Sequence, residues 1–144
     1  MMPSNLHPHR RAYVLAAMSV ALAVGSLLFV GFSHTVKATK LLVIAPTSFM
    51  DLDEHVEITV KAIDNAGNID VTRNDLVELG VRSVSRNVSM ARLSATSIKL
   101  QNGVGSAYVV GDIAEVVDVT AIWREGPSPL KPSTARLFIG IGEE

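Results

Sequence analysis

The 144-residue chain contains no cysteine, and that absence removes two classes of protein at once. An exported domain of this size cannot be stapled by disulfides, and no thiolate is present to hold a metal, so stability has to come from an apolar core. Acid is missing from the first forty residues, which carry Arg10, Arg11, Lys37 and Lys40 for a net +4, while residues 41–144 carry −5. The formal total of −1 argues against a nucleic-acid binder held by phosphate contacts. A basic appendage on an acidic body points to membrane targeting rather than to two folded domains. Beyond residue 40 there is no helical stretch of useful length, no P-loop and no Rossmann fingerprint. Ser83, Ser85, Ser89, Ser94 and Ser97 sit in no Gly-x-Ser-x-Gly elbow, and the body holds a single histidine, His55, through which any triad would have to run. His55 reads as a solvated side chain on the polar face of its strand, and His7 and His9 as part of a disordered flank. The expectation is a protein without catalysis and without a cofactor.

What is present begins with a long uncharged run, AYVLAAMSVALAVGSLLFVGF, at residues 12–32. A helix of that length covers about 30 Å, the thickness of a bilayer core, and it is apolar on every face, as no core helix of a small soluble domain is. Arg10 and Arg11 precede it directly, which favours an N-terminus in the cytoplasm and a body outside it. Three readings stay open. An uncleaved signal anchor is preferred, because the run exceeds the usual length of a cleaved signal. A secretory signal cut after Ala38 is the second, with Val36 and Ala38 as its small or apolar residues, and Arg10-Arg11 also resembles a twin-arginine export pattern. The third is a prepilin-like segment of a surface filament similar to an archaeal pilus or archaellum, cut just before the helix. Ala17, Ala21 and Gly25 fall four apart and would place small residues on one helix face for close association in the membrane.

From Leu41 the period becomes two. Val56, Ile58, Val60 and Ala62 alternate with His55, Glu57, Thr59 and Lys61, and further strands are expected at 76–84, 95–100, 104–110, 116–123 and 134–141. Asn65-Ala66-Gly67-Asn68, Gly111-Asp112 and Gly126-Pro127-Ser128-Pro129 supply turns, and Asn102-Gly103 predicts a hairpin between its flanking runs. About seven short strands with turns at such spacing predict an all-β sandwich behind a single N-terminal transmembrane helix.

Certain residues also carry a family resemblance. Ala62, Asp64, Gly67 and Asn68, then Asn102, Gly103 and Val104, then Val117, Val119, Thr120 and Ala121 stand as in VKAIDNAGN, NGV and VDVTA. In that order they resemble the bacterial immunoglobulin-like domains of invasin/intimin type, over residues 41–142. Gly105 departs from the pattern, where the family commonly has alanine, and the domain occurs once rather than in tandem. The resemblance implies an immunoglobulin-like sandwich and a non-enzymatic structural or adhesive module outside the cytoplasm. Its partners would be the bilayer, through residues 12–32, and a protein or second copy outside the membrane.

The acidic stretch IDNAGNID poses the one question of chemistry. Asp64, Asn65, Asn68 and Asp70 offer oxygen ligands for calcium. Counted from Asp64, however, an EF-hand would need an oxygen ligand at Ala66 and glycine two places after Gly67. A turn in which Asp and Asn bond local N–H groups explains the same letters and is preferred. Asp51, Asp53 and Glu54 read likewise as a surface turn. Tyr108 and Trp123 are expected in the core or at its edge, with an exposed binding patch at the sandwich rim as the competing reading. Leu130, in a loop stiffened by Pro127, Pro129 and Pro132, is a candidate contact point, and a rigid connection between two strands is an equally good account of that loop. Asn87-Val88-Ser89 is a glycosylation sequon in an expected loop.

Overall fold

The computed structural model describes residues 35–142, nearly all of them within one compact unit, Val36–Glu144. Alternation does what the period-two pattern requires. Nine strands form among the described residues: β1 (Lys40–Ile44), β2 (Phe49–Met50), β3 (Val56–Ile63), β4 (Leu76–Ser83), β5 (Arg92–Leu93), β6 (Ser97–Lys99), β7 (Val104–Val110), β8 (Glu115–Glu125) and β9 (Ser133–Ile139). They pair into two sheets, β1-β3-β7-β5 and β2-β9-β8-β4-β6. Setting aside the edge strands β2 and β6 and keeping the equally short β5, seven strands in chain order divide as first, second, fifth and fourth against third, sixth and seventh. That is the strand distribution of immunoglobulin-type sandwiches. Among the described residues no helix is long and apolar enough to cross a membrane. The run 12–32, with Ala17, Ala21 and Gly25, lies outside the described residues.

The core between the sheets is aliphatic. Ile58, Val60 and Ala62 from β3, Val77 and Leu79 from β4, Val117, Val119 and Ala121 from β8, and Leu137 and Ile139 from β9 are all almost wholly buried. A buried Val, Leu or Ile contributes about 1.5–3 kcal/mol relative to exposure, and the eight of them here, with Ala62 and Ala121 between them, supply what disulfides do not. His55 stands exposed just before β3 rather than within it.

Three expectations are corrected. Asn102-Gly103 does form a two-residue turn, with φ of 52° and 79° and reciprocal bonds between Gln101 and Val104. Yet it joins no hairpin, because β6 goes to one sheet and β7 to the other. The turn chemistry is local, while the partner of each strand is chosen by burial: Ile98 and Leu100 face inward and fold over Gly105. A Cβ on Gly105 would meet Leu100 Cδ2 at 3.1 Å and Ile98 Cδ1 at 3.2 Å, which explains glycine where the resembling family has alanine. Tyr108 is exposed on the outer face of β7, since its inward neighbours Ala107 and Val109 take the core positions. Leu130 is no exposed tip. It is 5% exposed and packs in the core, while the backbone of Lys131 pairs with β1.

The registers also fix direction. Lys40, at the start of β1, lies beside Ile63 and Lys131, whereas Ile139, at the end of β9, lies beside Glu115. The chain therefore enters at one end of the sandwich and leaves at the other, about 23 Å away along the seven residues of β9. The entry end is built from residues 38–40, 64–74, 101–103 and 126–131, and the far end from residues 49–55, 84–91, 111–114 and 140–142.

Candidate functional site

The acidic stretch sits at the entry end, and its carboxylates are spent on the chain itself. Asp64 Oδ1 accepts the N–H groups of Ala66 at 2.8 Å and Asn68 at 2.9 Å, and Oδ2 accepts Asn68 Nδ2 at 3.0 Å. The Asn68 side chain and backbone lead the hydrogen bonds that hold the Asp64 carboxyl below its ordinary pKa. Asp70 is 3% exposed and points elsewhere. Its Oδ2 accepts the N–H of Ala38 at 2.9 Å, and its Oδ1 accepts the N–H of Thr72 at 3.1 Å and the Thr72 hydroxyl at 2.6 Å. Burial pushes its pKa up, but Thr72, Ala38 and nearby Arg73 outweigh it and leave the carboxyl below its ordinary value. Asp64 orders a turn, and Asp70 pins the segment by which the chain enters. Among the described residues no three His, Asp or Glu side chains gather in a way that could hold a metal ion. Asp51, Asp53 and Glu54 lie at the opposite end, with Glu54 Oε2 accepting the N–H of Asp51 at 2.8 Å.

Beside Asp70 lies a network that period and motif reading missed. Asp75 is buried and faces Arg73, whose Nε donates to Asp75 Oδ1 at 2.9 Å while its Nη2 reaches Oδ2. Trp123 Nε1 donates to the same Oδ2 at 2.8 Å. The Arg73 guanidinium also donates to the hydroxyl and carbonyl of Ser128. A Cβ on Gly126 would fall 2.3 Å from Asp75 Oδ2, so the proline loop passes over this pair only with glycine there. Trp123 is thus half-buried through a polar contact as well as by packing. A charge pair with side-chain exposures of 4% and 0% stands because four guanidinium N–H groups and both carboxylate oxygens find partners.

A second buried carboxylate organises the far end. Glu115 Oε1 accepts the Ser89 hydroxyl at 3.0 Å and the N–H groups of Met90 and Ala91, both at 2.9 Å. Burial raises its pKa, yet the Ala91, Ser89 and Met90 donors bring it below the ordinary value. Ser83 Oγ and Glu115 Oε2 make no hydrogen bond of ordinary geometry. One side chain thereby holds the loop 84–91, in which Asn87 is exposed.

Apolar surface also gathers at the far end. Phe49, Phe138, Val116 and Val84 stand in register across β2, β9, β8 and the end of β4, on the outward face. The two rings stack at 5.0 Å, and Val84, Val88 and Met90 are 50%, 72% and 51% exposed. The next outward row is charged, with Arg136 forked onto Asp118 at 2.8 and 3.0 Å and Arg82 opposite Asp118. At the entry end a shallow depression of about 450 Å³ is lined by Lys99, Gln101, Asn102, Val104, Gly105 and Ser106. Its lining includes no acid and no histidine, so Ser106 has no base to activate it.

No protein-family model matches the chain, and no curated protein does. Solved structures do. A glycoside hydrolase family 2 member from Bacteroides cellulosilyticus superposes with a TM-score of 0.60 at 18% identity, over 72% of this chain and 14% of that one. The Parabacteroides merdae β-glucuronidase gives 0.55 at 12% identity, over 71% of this chain and 12% of that one. The fold is a two-sheet β-sandwich. Because the chain spans only about a seventh of those enzymes, their likeness is to a part and says nothing of their activity. The D00-D0 domain of intimin overlays at 0.49 with 20% identity, over 77% of this chain and 50% of that one, a score too low to build on.

Proposed function

We propose that this chain is a non-enzymatic, immunoglobulin-like module, held on the cell membrane by residues 12–32 and making protein contacts outside the cytoplasm. The observation that carries the reading is the through-going chain path. A strand distribution of immunoglobulin type enters at one end, where Asp70 pins it, and leaves at the other, where apolar side chains gather. Such a path suits a spacer that holds a contact surface away from its anchor. The family resemblance agrees in physical terms: Ala62, Val117, Val119 and Ala121 are core positions, while Asp64, Gly67 and Asn68 build the turn. The far-end row of Phe49, Phe138, Val116 and Val84, with Val88 and Met90, is the surface for a protein partner or a second copy, because exposed apolar clusters mark such sites.

Fractionation with an alkaline wash tests the anchor, and protease added to intact cells tests the side. The chain should stay with washed membranes and lose residues 41–144 to external protease. A chain released by the wash, or one protected until the cells are opened, overturns the reading.

A further inference from the structure

We infer that the entry end of the sandwich is a docking surface for an anionic bilayer. The proposal rests on the membrane-anchor reading above and adds which face of the domain meets the lipid. The five lysines of the chain all lie in the half of the sandwich nearest this end: Lys37, Lys40 and Lys131 beside the entering chain, Lys61 on the outer face of β3 two residues in from its end, and Lys99 at the end of β6. Lys40 lies beside Ile63 and Lys131, Lys61 is in register with Leu42 and Val104, and Lys99 pairs with Leu76. Lys37, Lys99 and Lys131 are exposed, and Lys40 and Lys61 half-buried.

The acids at this end are largely withdrawn. Asp70 is buried on backbone donors, Asp75 is buried on Arg73, and Glu78 is held by Arg124. Asp64, turned onto its own loop, and Glu125 remain. At the far end the exposed charges are instead Asp51, Asp53, Glu54 and Asp112, against Arg86 and Arg92. The sandwich is therefore polarised along its length, with ammonium groups at the end where the chain comes in.

Chain length then brings those groups to lipid. Residues 33–37 separate the apolar run from Ala38, which Asp70 fixes to the domain. Five residues reach at most about 17 Å from that run and have to cross the headgroup layer within that reach, which keeps this end to roughly one Debye length from the lipid charges at physiological salt. Lysines held that close are attracted to a surface of anionic headgroups, and Lys37 and Lys131, both exposed, approach without desolvating a paired acid.

The full-length chain reconstituted into vesicles tests this, with phosphatidylcholine alone or mixed with phosphatidylglycerol. A water-soluble acylating ester labels amines, and peptide mapping reads each lysine. On the mixed vesicles Lys37, Lys99 and Lys131 should react roughly fivefold more slowly than on the neutral ones. High salt should abolish the difference, and K37Q/K131Q should reduce the protection left at Lys99. Equal reactivity on both vesicles, or protection that high salt does not touch, overturns the docking while leaving the anchor intact. A chain stripped from both kinds of vesicle by alkaline wash overturns the anchor and the docking with it.

Discussion

The two ends of the sandwich each hold a buried carboxylate, and they use it differently. At the entry end Asp75 is locked by a guanidinium, an indole and a glycine-bearing loop, and Asp70 adds a clamp on Ala38. At the far end Glu115 alone gathers three donors from a loop that otherwise exposes Val84, Val88 and Met90. One end is cross-linked by its own buried side chains. The other presents apolar surface on a loop whose order depends on a single side chain, and regions of that kind are where binding and local opening concentrate.

Breaking the locked end should have the largest effect. Asp75→Ala leaves the Arg73 charge buried without its partner, at a cost of about 3–5 kcal/mol. For a domain of about a hundred residues the melting temperature should fall by more than roughly 12 °C, with loss of the whole sandwich in one transition by circular dichroism. Glu115→Ala strands up to three donors and should cost about 2–3 kcal/mol. Hydrogen exchange separates the two: Glu115→Ala should speed exchange first at Met90 and Ala91, whereas Asp75→Ala should lower protection everywhere.

Acid sharpens the comparison. Asp70, Glu115 and Asp118 all have folded pKa values below their ordinary ones, so the stability they contribute is complete above the unfolded carboxylate values. It is lost as pH falls through those values and on through the depressed folded ones. Melting temperature should hold near neutrality and drop below about pH 4.5, and Glu115→Gln should flatten that drop. The smallest effect belongs to the acidic turn. Asp64→Ala should lower the melting temperature only slightly, because the turn bonds it loses are exposed to water. Millimolar calcium should leave the melting temperature of the unaltered chain nearly equal to that in chelator, while a calcium-specific rise abolished by Asp64→Ala would make the turn a site.

The strands were legible because alternation is a direct image of a half-buried sheet, as Val56, Ile58, Val60 and Ala62 illustrate. Pairing was less so. Asn102-Gly103 announces a turn, but which strand it hands on to depends on residues far away in sequence, and Ile98 and Leu100 decided that. Leu130 among prolines looks like a loop tip because nothing local records that Lys131 pairs with β1. Asp75 and Glu115 were invisible for a similar reason. An acid inside or beside a strand reads as solvated unless its partners are known, and those partners lie at Arg73, Trp123 and the 89–91 loop. Arg73-x-Asp75 alone, two residues apart, was the one local hint.

The central claim is that residues 12–32 stay on the chain and hold this sandwich at the membrane, and the intact mass of the native protein from washed membranes tests it most directly. The account predicts a chain beginning at Met1 or Met2. A chain beginning at Thr39 and found free of membranes would contradict it, and one beginning near Ala12 or Tyr13 would make the helix part of a filament instead.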